Sequence, residues 1–322
     1  MAVFSAGGAR AFVLLVSFAV AALAAELITI TDAQIAKLAQ QFGPIAKTRL
    51  TAWRDLLTAQ KYKKLSEREQ LELWYQPVYD RARRRIVSVE ALLRWRDPNR
   101  GLIQPTEFIS LAEETGMIIP IGEWAMRTAC RQLREWHAQG LETLRMAVNI
   151  SAVQLQQRDM VDVVRSALAE NQIAPHRLEL EITESAAMQN FELTMKVLRE
   201  LRALGVGVAV DDFGTGQSSL TYLKHFPIDT VKIDKEFLRD VTADETAAAI
   251  VSYVINLAHT LQLNVVAEGV ETEEQYTFLR HYGCDQMQGY LFSQPLPASE
   301  ILPYLRRMPP RPHTIEIQRP EM

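Results

Sequence analysis

The chain has 322 residues, 48% hydrophobic and 23% charged, an ordinary globular composition that allows two average domains or one α/β barrel with an appendage. Net charge is −4, from 35 Lys+Arg against 39 Asp+Glu, and no basic block exceeds a few residues, which argues against duplex nucleic acid as a partner. The two cysteines, Cys130 and Cys284, lie far apart and suggest reduced thiols rather than a disulfide scaffold.

Residues 1–30 read as a signal-like or anchor-like segment. Ala11–Ala25 is an uninterrupted apolar run that extends to Ile30 with only Glu26 charged, short for a membrane span. Its Ala-Leu-Ala-Ala end resembles a signal-peptidase site. Arg10 precedes the run, whereas Lys37, Lys47, Arg49, Arg54, Lys61, Lys63 and Lys64 follow it, a bias that keeps the C-terminal side in the cytoplasm. An uncleaved anchor and a cleaved signal are equally good readings, and a miscalled start is a third. The expectation is a cytoplasmic active site, attached to the inner membrane through residues 11–30 if these are retained.

Residues 31–70 read as a short helical region, with Ile35, Leu38, Phe42, Ile45, Leu50, Trp53, Leu56 and Leu57 at roughly helical spacing. Ser66-Glu-Arg-Glu69 has the form of a capping box opening a short helix. From residue 71 to 307 strands and helices alternate. Leu73–Tyr79, Ile86–Leu93, Leu144–Ile150, Leu178–Thr183, Val206–Asp211, Thr230–Asp234, Asn264–Ala267 and Gln286–Leu291 read as strands. Helical patterns cover Thr106–Thr115, Glu123–Gln139, Val153–Glu170, Phe191–Leu204, Ala247–Leu261 and Thr272–Tyr282. A short polar turn, Asp80–Arg85, makes the first two strands antiparallel, and the βα units that follow imply parallel pairing. The fold class is therefore α/β: a TIM-type (β/α)8 barrel with an antiparallel first strand. An open doubly wound sheet is the alternative, but no glycine-rich phosphate loop follows an early strand. Residues 308–322 are proline-rich and read as a flexible tail.

The most informative stretch is Val206-Gly-Val-Ala-Val-Asp211-Asp212-Phe-Gly214-Thr-Gly216. Adjacent aspartates at the exit of a buried strand repel each other and are costly to desolvate, so a cation belongs between them. In a barrel, reactive groups come from the C-terminal ends of several strands. Those positions here carry Glu90, Asn149, Glu181, Asp211, Asp212, Lys232, Glu268 and Gln288. Each has an ordinary reading. A lone strand glutamate such as Glu90 usually faces solvent, and Asn149 can simply close a turn. Lys232 can be an exposed snorkelling residue. Glu184 and Glu271 can be helix-start carboxylates. Glu181 alternates with Glu179, so only one of that pair is expected to face the interior. Jointly these readings fail, because every parallel strand offers an oxygen ligand or a lysine at one pole. A hard-oxygen set without cysteine or paired histidine favours Mg²⁺ or Mn²⁺ over structural zinc.

Glu90-Ala-Leu92 followed by Arg94-Trp95, with Asn149, Glu181-Ile-Thr-Glu184, Asp211-Asp-Phe-Gly-Thr-Gly216, Val-Lys232-Ile-Asp234, Ala-Glu268-Gly-Val-Glu271 and Gln288-Gly-Tyr290, resembles the bacterial EAL domain over roughly Leu71 to Leu305. The resemblance implies a cyclic di-GMP phosphodiesterase with two divalent cations, Mg²⁺ or Mn²⁺, yielding linear pGpG, and a homodimer formed through the barrel. It implies that Glu90, Asn149, Glu181 and Asp211 hold the first metal, with Asp211 bridging to a second held by Asp212 and Glu268. The resemblance further implies that Lys232, Glu268 and Glu184 form the catalytic group, with Lys232 orienting the attacking water and Glu184 tethering the loop after Asp212. Gln76, Leu92, Arg94, Asp234, Glu271 and Gln288 are implied on the substrate side, Arg94 as a phosphate contact.

Two positions depart from the family pattern. Gln217 stands where tyrosine usually follows the second glycine, in a loop that takes part in the family's dimer contacts. Arg96-Asp97-Pro98 stands where histidine commonly precedes the proline. A silent cyclic di-GMP receptor is the alternative function, distinguished by loss of metal ligands, and none is missing here. A protein-interaction module would need more erosion still. Residues 31–73, especially Arg49-Leu-Thr-Ala-Trp53 and Leu65–Leu73, weakly resemble the start of bacterial transglutaminase-like cysteine proteinases, which are exported. The catalytic cysteine of such an enzyme would fall where this chain has become EAL-like. No protease is therefore encoded, and a fusion or rearranged reading frame is the reading.

Overall fold

The computed structural model describes residues 70–98, 100–214 and 226–307. The apolar run, the helical region to residue 69, the loop positions 215–217 and the tail lie outside the described residues. No helix among the described residues is long and apolar enough to cross a membrane.

The chain divides into two compact units. The described part of the smaller one comprises residues 70–71 and 95–118. There the end of strand β2 (Arg85–Asp97) pairs antiparallel with β3 (Gly101–Ile103), with Trp95 opposite Ile103. Helix α1 (Pro105–Glu114) starts at a proline, whose missing N–H costs nothing in a first turn. It buries Phe108, Leu111 and Ala112, and the Phe108 ring meets Trp95 edge-on at 5.7 Å.

The larger unit is the barrel. Around it run β1 (Leu71–Asp80), β2, β4 (Arg145–Asn149), β5 (Leu178–Thr183), β6 (Gly207–Phe213), β7 (Thr230–Ile233), β8 (Asn264–Ala267) and β9 (Gln286–Gln288). From β2 through β9 neighbouring strands are parallel, while β1 is antiparallel to β9 and pairs β2 to close the ring. A short β10 (Leu296–Pro297) pairs with Trp74 and Tyr75.

Outside the ring lie α2 (Ile118–Ala138), α3 (Ala152–Leu155), α4 (Met160–Asn171), α5 (Glu184–Met188), α6 (Phe191–Ala203), α7 (Lys235–Leu238), α8 (Glu245–Thr260), α9 (Glu273–His281) and α10 (Ala298–Arg307). Apolar spacing explains these helices. In α6, Met195, Leu198 and Leu201 fall on one face and are buried. Each such side chain contributes about 1.5–3 kcal/mol by leaving water.

Some boundaries differ from the sequence expectation for local reasons. The stretch expected as one helix from 153 to 170 is two, because Ser151 and Gln154 form a capping box that opens the four-residue α3. The last strand stops at Gln288 rather than Leu291. Residue 289 is a glycine whose position brings the backbone against Val270, where an added Cβ would lie 2.2 Å from the Val270 oxygen. Asp234 is not in the strand but caps α7, its carboxylate accepting the Glu236 N–H at 2.7 Å.

Candidate active site

Residues two apart on a strand share a face, and the barrel's inner face carries the polar side chains. On β5 this corrects the expectation that only one of Glu179 and Glu181 faces inward, since alternation puts both there. Glu181 is buried, and Glu179, one layer below, accepts a hydrogen bond from Thr230 Oγ1 at 3.0 Å across Gly207. On β1 and β2 the same rule places Gln76 with Trp74, and Glu90 with Leu92 and Arg94.

Lys232 is the centre. It is not a snorkelling surface lysine: its side chain is 2% exposed. Its Nζ lies 2.5 Å from Glu268, 2.6 Å from Glu181, 3.5 Å from Asp211 and 3.6 Å from Glu90. Asn149 Nδ2 donates to Glu90 Oε1 at 2.7 Å, and Gln288 Nε2 donates to both Glu90 Oε2 (2.7 Å) and Gln76 Oε1 (3.0 Å). Gln76 in turn donates to the Ser293 carbonyl at 3.1 Å.

One ammonium does not neutralise so many acids, and the imbalance appears as displaced proton affinities. Burial, reinforced by Glu90, holds Glu181 well above the carboxylate range even with Lys232 beside it. Burial also raises Glu268 to about 8, with Lys232 opposing and Asp211 adding to it. Burial of Glu90 works in the same direction, but Lys232 and the amides of Gln288 and Asn149 outweigh it and leave Glu90 below its usual value. Within the Glu90–Glu181 pair, Glu181 therefore has the higher proton affinity. Lys232 loses affinity through burial and regains more from its four carboxylates, so it stays charged.

The Asp211–Asp212 step is irregular. Between β6 and β7, Val210 pairs with Val231 but Phe213 pairs with Ile233, so β6 carries one extra residue. Asp212 takes it up in the left-handed region at φ 53°, and its N–H donates to Asp211 Oδ1 at 2.9 Å. Burial, then Asp211 and Asp234, raise Asp212 to about 6. Just beyond, the Gly214 N–H donates to Glu184 Oε2 at 2.9 Å.

The structure thus brings Gln76, Glu90, Asn149, Glu181, Asp211, Lys232, Glu268 and Gln288 into one network, with Asp212, Asp234 and Glu184 against its edge. Arg94 sits at the rim with its guanidinium 5.9 Å from the Trp74 ring centroid, and burial lowers its proton affinity. Leu92 is half-buried on the same strand face. Glu271 stands apart: its side chain is exposed, and its backbone N–H donates to Gln275 Oε1. Sequence reasoning did not assign Trp74, although an aromatic two residues ahead of Gln76 on one strand face was a usable signal.

In this arrangement the carboxylates turn onto the ammonium, and no three His, Cys, Asp or Glu side chains among the described residues form a ready metal cage. The donor chemistry nevertheless fits hard divalent cations. Carboxylates and an amide are the right ligands, and Gln288 Oε1 is buried without a hydrogen-bond partner. The raised Glu181, Glu268 and Asp212 record a local shortage of positive charge.

Fold and site define a TIM-type barrel with its reactive carboxylates at the C-terminal ends of the strands. The chain belongs to the EAL domain family, whose model matches residues 57–295, beginning ahead of β1. It is 48% identical over 236 residues, 73% of its length, to the bifunctional diguanylate cyclase/cyclic di-GMP phosphodiesterase MucR of Pseudomonas aeruginosa. It is also 48% identical over 238 residues, 74% of its length, to the cyclic di-GMP phosphodiesterase NbdA of the same organism. These matches span 34% and 30% of the two relatives, so the chain corresponds to about a third of each. Among solved structures, the PaMucR phosphodiesterase in complex with c-di-GMP is 46% identical with a TM-score of 0.73, over 77% of this chain and 99% of that one.

Proposed function

We propose that this chain hydrolyses cyclic di-GMP to linear pGpG, using two divalent cations, Mg²⁺ or Mn²⁺. The observation that carries the reading is the gathering of Glu90, Glu181, Asp211 and Glu268 around Lys232 at the pole where barrel enzymes react. It is supported by family membership and by relatives named as cyclic di-GMP phosphodiesterases.

Glu90, Asn149, Glu181 and Asp211 would hold one cation, and Asp211, Asp212 and Glu268 the other. When bound, the cations supply positive charge to the attacked phosphodiester and make water a nucleophile near neutral pH. The protein's own contribution is orientation. Lys232, freed from part of its carboxylate shell, holds the attacking water in line and adds charge. Arg94 offers a planar donor fork to the phosphate, beside Leu92, while Gln76 and Gln288 fix Glu90 from behind. Glu184 restrains the chain after Asp212. Asp234 supports Asp212, and Glu271 lies on the substrate side.

The test is incubation of the purified chain with cyclic di-GMP and Mg²⁺ or Mn²⁺, following pGpG by chromatography. Turnover lost in Glu90→Ala supports the reading. Binding without turnover by either metal refutes hydrolysis and leaves a receptor. The same reading takes the protein as a homodimer with a cytoplasmic active site, attached to the membrane if residues 11–30 are retained as an anchor. Monomeric sedimentation, or recovery of the barrel in a periplasmic extract, overturns those two assignments respectively.

A further inference from the structure

The short helix α7 touches both strand ends that carry the outer carboxylates. On one side it meets the irregular end of β6. Gly214 has φ +97°, and a Cβ there would lie 3.0 and 3.1 Å from Phe237 Cζ and Cε2, so the ring edge already rests against the Gly214 backbone. On the other side it meets the residue after Glu268. Gly269 has φ +68°, and a Cβ there would lie 2.4 Å from Lys235 Cβ and 3.2 Å from Lys235 Cα. The two glycines are the close-approach points through which one rigid piece contacts two loops.

α7 is itself fastened at both ends. Asp234 caps its start and shares a hydrogen bond with the Asp212 carboxyl. Leu238 is fully buried, and its carbonyl accepts the buried Gln275 Nε2 at 2.9 Å. The Glu268 N–H donates to the Ile233 carbonyl at 3.0 Å, so the β7–α7 corner also meets the β8 end through backbone. Asp212, in a left-handed conformation that a non-glycine residue adopts only when its surroundings enforce it, is flanked by three restraints. These are Asp234, the Glu184–Gly214 hydrogen bond and the Phe237 ring. Only the ring is apolar, and it is not fully buried in the core.

We propose that Phe237 is a positioning residue for the outer cation site, holding the Asp212–Gly214 turn against α7 so that Asp212 and Glu268 keep a fixed separation. The inference rests on the two-cation hydrolase reading. Phe237 touches neither cation nor substrate. Its effect falls on the outer site, because Glu90, Asn149 and Glu181 lie on strands that α7 does not contact through these glycines. Residues behind a metal site typically change metal affinity by about 10–100-fold, and a misplacement near 1 Å costs about 100-fold in rate.

The experiment uses the full chain and counts bound Mn²⁺ by the electron paramagnetic resonance of the free ion, alongside steady-state hydrolysis. Wild type should bind two Mn²⁺, and Phe237→Ala one at the same free concentration, with the second weakened about 10-fold or more. kcat should fall with KM for cyclic di-GMP nearly unchanged, and Phe237→Leu should recover most of both. Two Mn²⁺ of wild-type affinity in Phe237→Ala overturns the proposal. One Mn²⁺ in wild type overturns the two-cation reading instead, before any variant is compared. If Phe237→Ala does not fold, Phe237→Val, whose side chain is too short to reach the Gly214 backbone as the ring does, decides: a second affinity and kcat equal to wild type in that variant also overturn the proposal.

Discussion

Lys232→Met tests the electrostatic account of the site most directly. Methionine keeps the unbranched stem and a similar volume, so the packing change is small and the lost charge dominates. In wild type the ammonium faces Glu268, Glu181, Asp211 and Glu90 within 3.6 Å while 2% exposed. Removing one partner of a buried ion pair leaves uncompensated charge and costs about 3–5 kcal/mol. For a domain near 240 residues each kcal/mol is about 2 °C in melting temperature, so the variant should melt about 6–10 °C lower in EDTA. The carboxylates can relieve part of the loss by taking protons, since burial already raises the proton affinity of Glu181 and Glu268. The gap should therefore be widest near pH 8 and narrow toward pH 5. Divalent cations supply the missing charge: a site at 100-fold excess over its Kd adds about 2.7 kcal/mol, and Mn²⁺ should rescue the variant by more degrees than it adds to wild type. Differential scanning fluorimetry with EDTA or Mn²⁺ at three pH values reads all of this. A variant that melts with wild type in EDTA at pH 8 refutes the reasoning.

Four further outcomes follow from the structure. Glu268 at about 8 and Asp212 at about 6 both lie above the unfolded carboxylate range. The metal-free folded state therefore keeps protons that the unfolded chain has released, and its melting temperature should fall as pH rises from about 5 to 8; a rise over that window contradicts the assignment. Mn²⁺ must displace those protons, so its affinity should increase over the same window, with proton release at pH 7 visible by calorimetry in buffers of different ionisation enthalpy. Glu184→Ala removes the acceptor of the Gly214 N–H, a charge-assisted bond of about 1.5–3 kcal/mol, and should lower turnover through a loosened turn; wild-type rates would exclude that route. Burial pushes the thiols of Cys130 and Cys284 up to about 12, so neither should react with a thiol reagent at pH 8 until the protein unfolds, and a fast native reaction would show the burial to be wrong.

Much of the barrel was legible because its strands and helices differ in period and its βα units repeat. Boundaries were less so. The four residues of β7 are all buried, which erases the alternation that marks a strand's limits, and Asp234 looked like its last residue although its side chain caps a helix. The inner network was read from residue types at strand ends. Its connections were not: Gln76 reaches Gln288 across 212 positions of sequence, and no local pattern encodes that meeting. Glu271 is the opposite case: a motif letter alone gave it a place on the substrate side, and its exposed side chain makes no part of the network around Lys232.

The paired aspartates raise a geometric problem that the sequence states without solving. Successive residues on a regular strand point to opposite faces, so Asp211 and Asp212 cannot both serve one inner site from an ideal strand. The extra residue opposite Val231–Ile233 and the left-handed turn at Asp212 remove that conflict. An unfavourable backbone conformation costs about 1–3 kcal/mol, and here it is countered by bonds to Asp211, Asp234 and, one step on, Glu184. These polar partners are all carboxylates, so apart from the Phe237 contact the turn's stability and the site's charge depend on the same groups. Anything that redistributes protons or cations among them also changes how firmly Asp212 is held.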